Sequence, residues 1–312
     1  MMRARLARAS ALALALLSLP RPSHAYFEEL AIGARQLALG FGSIACVTDP
    51  SAYYWNPAAL TRLRRLEGTA DYAKPYGLSD VNVGAVSLAA PVRGFAVGVG
   101  WHHLGLSDSY AEDVATVAVA RRIPGLPPRH ALSAGAALKY ARVGFQPFAD
   151  PLGGPAIDYG NQARTSADFS LLWETPWRVD VAWVGRDLNE PHYEFIAGSG
   201  GQALAARQEL GAAIRWNRES TITLGWSQLD AGRTSLSAGI EVTFFEVFAI
   251  RSSISNLARI YDSLGSPTEL DFNGGIGVFH KGYHVDATAT TDHDLGASYR
   301  ISLRAPLLGG PR

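Results

Sequence analysis

From residue 66 onward, apolar positions alternate with small or polar ones at a period of two, the pattern of strands whose two faces meet different surroundings. Over residues 94–103, Phe95, Val97, Val99 and Trp101 share one face, and Gly94, Ala96, Gly98 and Gly100 share the other. Over 209–216 the apolar phase is Leu210, Ala212, Ile214 and Trp216, against Glu209, Gly211, Ala213 and Arg215. The last segment is cleanest, with Leu295, Ala297, Tyr299, Ile301 and Leu303 set against Gly296, Ser298, Arg300, Ser302 and Arg304. The same test predicts about 14 strands, near 66–75, 81–90, 94–104, 112–122, 130–144, 165–175, 178–187, 207–217, 219–229, 234–244, 245–255, 269–280, 282–290 and 293–304. Helical periodicity is nearly absent. "APVRG", "NRES", "DAGR" and "HKG" read as tight turns, whereas 145–164 and 188–206 are long surface connections rich in Gly, Pro and Ala. No linker interrupts the pattern, which reads as one domain.

Two architectures bury such strands. A soluble sandwich turns the apolar phase inward, while a transmembrane barrel turns it out to lipid around a small or polar lining. Three features favour the barrel. The non-apolar phase is dense in Gly, Ala, Ser and Thr, with scattered charges at Asp168, Asp180, Arg186, Arg215, Glu241, Asp286 and Arg300. The chain also has three lysines, Lys74, Lys139 and Lys281, fewer than a wetted face carries. Five of the seven tryptophans (Trp101, Trp173, Trp183, Trp216 and Trp226) fall on the apolar phase, mostly near predicted strand ends. An aromatic girdle places indoles there, at the membrane interface. Finally, the predicted strands run to about 9–11 residues, the length that crosses a bilayer when tilted, against about five or six in soluble sheets. The expected fold class is all-β, a transmembrane antiparallel β-barrel.

Composition adds a destination. Arg3, Arg5 and Arg8, an apolar stretch over residues 9–19 and Ser23-His24-Ala25 make residues 1–25 read as a cleaved signal peptide. Those residues hold four arginines and no acid, so 24 basic residues then face 28 acidic ones, a net charge of −4 that disfavours nucleic acid as a partner. Cys46 is the single cysteine, which excludes an internal disulfide and any cysteine-rich metal cluster.

The stretch before the first strand has its own signature. It contains Gly33-Ala34-Arg35, then Gly40 and Gly42, then Asp49-Pro50-Ser51-Ala52, then Tyr54-Trp55-Asn56-Pro57-Ala58-Ala59-Leu60. This run resembles the N-terminal signature of the FadL-like outer-membrane barrels, most closely the PorV/PorQ branch. The resemblance implies a 14-stranded barrel in the bacterial outer membrane, with residues 26–64 folded into the lumen as a plug, a barrel over 65–304 and a tail over 305–312. It marks Gly33, Arg35, Gly40, Gly42, Asp49, Asn56, Pro57 and Ala58 as the plug motif. Two departures stand out. Family members often have Gly where Ala59 stands, and the chain runs on past Leu303 through "RAPLLGGPR" instead of ending on an aromatic residue. Tyr299-x-Ile301-x-Leu303 is then the candidate insertion signal.

Catalytic chemistry finds no footing. None of His102, His103, His192, His280, His284 and His293 accompanies a G-x-S-x-G elbow, and "GGIGV" lies within a strand, not a phosphate-binding loop. A non-enzyme without cofactor or metal is expected. Two functions remain. One is an adaptor holding exported or other envelope proteins, as the PorV side of the resemblance implies. The other is a channel for hydrophobic small molecules such as long-chain fatty acids, as the FadL side implies. A small, polar inward phase favours the adaptor, because a transporter of apolar molecules needs an apolar lumenal pocket. Outer-membrane lipid is a partner in either case.

Overall fold

The computed structural model describes residues 31–107, 109–149, 153–195, 201–229, 233–256, 270–292 and 296–307. The expected signal peptide and residues 308–312 of the tail lie outside them.

Fourteen antiparallel strands form a closed barrel. In chain order the first seven are β1 (Glu67–Lys74), β2 (Val81–Val92), β3 (Phe95–Leu106), β4 (Tyr110–Ile123), β5 (Ala131–Phe145), β6 (Asn161–Glu174) and β7 (Val179–Arg186). The rest are β10 (Arg207–Arg215), β11 (Ser220–Leu229), β12 (Arg233–Phe244), β13 (Phe248–Ser255), β14 (Asp271–His280), β15 (Tyr283–Asp292) and β16 (Gly296–Pro306). Closure comes from β1 pairing with β16, in a register from Glu67 opposite Pro306 to Lys74 opposite Tyr299. A two-residue pair, β8 (His192–Tyr193) with β9 (Gln202–Ala203), decorates the long β7–β10 connection. Alternation did not forecast it, because two residues carry no period.

The alternation sorts as a barrel requires. Val117, Val119, Leu138, Ile250, Ile276 and Leu303 point outward and are exposed. Ala118, Ala137, Ser170, Thr223, Ser253 and Ser302 occupy the opposite phase and are buried. An exposed belt of large aliphatic side chains around a buried belt of small ones is the inverse of a soluble protein. Closure leaves no strand edge unpaired in hydrocarbon. The barrel is therefore a membrane-spanning one of the bacterial outer membrane.

Its two rims differ. The connections after β2, β4, β6, β10, β12 and β14 are short, whereas those after β5, β7 and β13 span 15 to 20 residues. Short turns face the periplasm and long loops the outside in such barrels. The start of β1 and the end of β16 lie at the short-turn rim.

Residues 31–63 do not join the wall. They form α1 (Ala34–Leu39), a 3-10 turn η1 (Phe41–Ala45), α2 (Ala52–Trp55) and a second 3-10 turn η2 (Pro57–Arg62). α1 touches β12 to β16, η1 touches β7 and β10 to β12, and η2 touches β2 to β6. The segment thus contacts most of the barrel's circumference from within, and Leu39, Ile44, Tyr53 and Leu60 are fully buried.

Candidate functional site

Two glycines make the turns that fold the segment. Gly33 (φ 82°) and Gly40 (φ 70°) flank α1 in a left-handed conformation that a side chain would strain. Gly42 serves another need, close approach: a Cβ there would lie 2.6 Å from the Leu224 backbone. The wall reciprocates. A Cβ at Gly225 would strike the Gly42 nitrogen, one at Gly135 the Ala58 nitrogen, one at Gly100 the Tyr53 ring, and one at Gly239 would lie 2.5 Å from the Leu39 carbonyl. Inward-facing glycines on β3, β5, β11 and β12 are therefore the imprint of the segment on the wall.

Asn56 holds the segment's two halves together. Its Nδ2 donates to the Ile44 carbonyl at 2.8 Å, and its Oδ1 accepts from the Ala58 N–H at 3.1 Å, capping η2 with Pro57 at the first helical position. Ala58 N–H also donates to Ser170 Oγ on the wall at 2.9 Å. Asp49 organises the preceding turn: it accepts from the Ser51 N–H at 2.9 Å and from Gln36 Nε2 at 2.7 Å. Gly33 N–H donates to Asp71 Oδ1 on β1 at 2.9 Å.

Three arginines bind backbone carbonyls of the segment to wall carboxylates. Arg35 makes a two-point pair with Glu241, at 2.9 and 2.8 Å, and donates to the Cys46 carbonyl at 3.1 Å. Glu241 also accepts from Arg251 at 2.6 Å, and Arg251 reaches Asp286 at 2.6 Å. Arg62 pairs with Asp180 (2.7 Å) and Glu174 (3.1 Å) and donates to the Ala45 and Val47 carbonyls. Arg186, on β7, grips the Tyr54 and Trp55 carbonyls and pairs with Glu209 at 3.0 Å. Buried pairs of this kind return little net stability but are costly to break singly, so they fix position.

The plug-motif residues Gly33, Arg35, Gly40, Gly42, Asp49, Asn56, Pro57 and Ala58 all lie in this one buried unit. The motif omitted Gln36, Tyr53 and Arg62, whose partners are in the wall or across the segment. The available signal was the scatter of charges on the small phase, since Asp180, Arg186 and Glu241 from that set turn out to be the segment's anchors.

The outward indoles occupy several levels. Trp173 is the penultimate residue of β6, and Trp216 stands in the β10–β11 turn, both at the short-turn rim. Trp183 and Trp226 lie in the halves of β7 and β11 toward the long loops, each opposite Leu210. Trp101 sits mid-strand in β3. Trp177, outside the expected set, is exposed beside Trp173, and Trp55 is buried in the segment.

Above the segment, toward the long loops, lies a cavity of about 880 Å³. Leu37, Phe41, Tyr54 and Trp55 from the segment face Leu78, Val81 and Leu104, and Thr288, Thr290 and Ser298 close another side. Arg186 and Arg300 border it. Part of this apolar lining, Leu37, Phe41, Tyr54 and Trp55, comes from the segment, which has no strand period.

No protein-family model matches the chain, and no curated protein sequence is significantly similar to it. Solved structures do resemble it. The CymD monoaromatic hydrocarbon channel superposes with a TM-score of 0.56 at 12% identity, covering 85% of this chain and 96% of that one. The toluene transporter TbuX of Ralstonia pickettii gives 0.49 at 9% identity, over 82% and 92% of the two chains. The outer-membrane protein Omp33 of Acinetobacter baumannii gives 0.47 at 10% identity, over 78% and 98%. The likeness to CymD shows the fold alone, a closed outer-membrane barrel. Nothing in these likenesses points to the PorV/PorQ branch or to protein export.

Proposed function

We propose that the chain is a passive outer-membrane channel for small hydrophobic molecules, closed at rest by residues 31–63 acting as a lumenal plug. The observation that carries this reading is the cavity of about 880 Å³ in which apolar side chains of the segment meet Leu78, Val81 and Leu104 of the wall region. Its size suits a small-molecule site, with an apolar side opposite a polar one that carries Arg186, Arg207, Glu209, Asp271 and Arg300. CymD, the barrel of like fold, is a monoaromatic hydrocarbon channel. A molecule leaving this cavity for the periplasm has to displace the segment, which the arginine pairs hold in place. Trp101, Trp173, Trp183, Trp216 and Trp226 serve as lipid-facing anchors in this reading.

Calorimetry on the detergent-solubilised barrel tests it. A monoaromatic hydrocarbon or a long-chain fatty acid should bind, and Leu104→Asp, which puts a carboxylate on the apolar side of the cavity, should abolish binding while the barrel stays folded on a heat-modifiability gel. Binding of neither ligand class, or equal binding to the variant, would overturn the reading.

A further inference from the structure

The short-turn rim carries charge in an uncommon way. Arg93 (φ 46°), Arg129 (φ 69°), Arg178 (φ 62°) and Lys281 (φ 50°) all stand in turns in the left-handed conformation, where glycine would be free of strain. Phe245 (φ 54°) and Glu246 (φ 57°) share that conformation at the same rim, so its left-handed turn positions hold four cations against one acid. Arg218 adds a fifth in the β10–β11 turn, against Glu219 and Glu246 in the same set of turns. At the opposite rim Asp80, Asp158 and Glu190 stand beside Arg142 and Arg164, so neither sign prevails among the described residues.

One sector of the basic rim also has a built surface. His130 stacks on Trp173 with ring centroids 5.8 Å apart and meets Trp177 edge-on at 5.4 Å. Trp173 Nε1 donates to His130 Nδ1 at 3.2 Å. These contacts join the β4–β5 and β6–β7 turns into one face. An outward groove of about 380 Å³ runs along it, lined by Leu126, Pro127, His130, Leu132 and Trp173. Arg129 and Arg178 are exposed, adjacent in sequence to His130 and Trp177, and make no ion pair among the described residues. The nearby Glu174 is neutralised by Arg62 and Arg122.

We propose that this sector is a seat for an acidic phospholipid of the periplasmic leaflet, with an acyl chain along Leu126, Leu132 and Trp173 and the phosphate between Arg129 and Arg178. An apolar groove, with the exposed Arg129 and Arg178 next in sequence to His130 and Trp177 of its aromatic face, matches that amphiphile in both polarity and charge. The seat does not depend on what the lumen transports.

Native mass spectrometry tests it on the barrel released from nanodiscs that contain phosphatidylcholine with or without phosphatidylglycerol. The double variant R129G/R178G keeps backbone conformations that glycine adopts freely, so it folds. It should retain phosphatidylglycerol about 30-fold less than the native chain, since each of the two cations near the headgroups contributes about fivefold. R93G/K281G, on turns outside the groove, should retain it nearly as the native chain does. Equal retention by R129G/R178G and the native chain overturns the proposal. So does equal stabilisation by inorganic phosphate in phosphatidylcholine discs, which would mean a site for a free anion instead of a lipid.

Discussion

Asn56→Ala removes the hydrogen bond that ties η1 to η2. The side chain is wholly buried, and its amide is a donor to the Ile44 carbonyl deep in the lumen, where water cannot replace it. The Ala58 N–H keeps Ser170 Oγ as a partner at 2.9 Å, so the loss is concentrated on one stranded carbonyl. An unsatisfied buried acceptor of this kind costs about 2 kcal/mol, which raises the population of the displaced segment about 30-fold. The chain holds its own reporter. Cys46 is its one cysteine, 8% exposed, and burial pushes its thiol above the usual range, so it reacts slowly with maleimide in place. With opening fast relative to labelling, the rate follows the displaced population, by the same logic as proteolysis of transiently opened states. Labelling of Asn56→Ala in lipid should therefore be about 30-fold faster than native, with the barrel still heat-modifiable. A native labelling rate would refute the role given to Asn56.

Other perturbations follow from the same contacts. Gly225→Ala places a methyl against the Gly42 nitrogen, and such overpacking costs about 1–3 kcal/mol; ion conductance in planar bilayers should rise, and unchanged conductance would remove the imprint argument. Glu241→Gln uncouples both Arg35 and Arg251, whereas Arg35→Met leaves Glu241 paired with Arg251. The first should lower the heat-modifiability midpoint more than the second, because a stranded buried charge costs about 3–5 kcal/mol; equal shifts would show that the network does not hold the segment. Leu104→Asp should abolish binding of hydrocarbon or fatty acid, as set out above.

The wall was legible because its period is exact over eight to fifteen residues at a time, and Val117, Val119 and Leu138 fall on the lipid phase wherever counting begins. Strand β6 starts four residues earlier than its alternation suggests, at Asn161, because Asn161, Gln162 and Arg164 are polar on both faces near the long-loop rim. The segment was legible as a motif but not as a site. Arg35 and Asn56 act through Glu241 and Ile44, and only one of those contacts is local in sequence, so spacing could not pair them. The apolar part of the cavity was hidden for a related reason: strand phase reports the wall, while Leu37, Phe41, Tyr54 and Trp55 enter the lumen on short helices.

The central claim is the direction in which the two phases face. Nitroxide labels placed singly at positions 116 to 119 of β4, in a Cys46→Ser background reconstituted in lipid, read it residue by residue. The account predicts high oxygen contact at 117 and 119, in the acyl chains, and little at 116 and 118. High oxygen contact at 116 and 118 with water-borne nickel contact at 117 and 119 would mean the apolar phase faces away from lipid, and the barrel reading would be wrong.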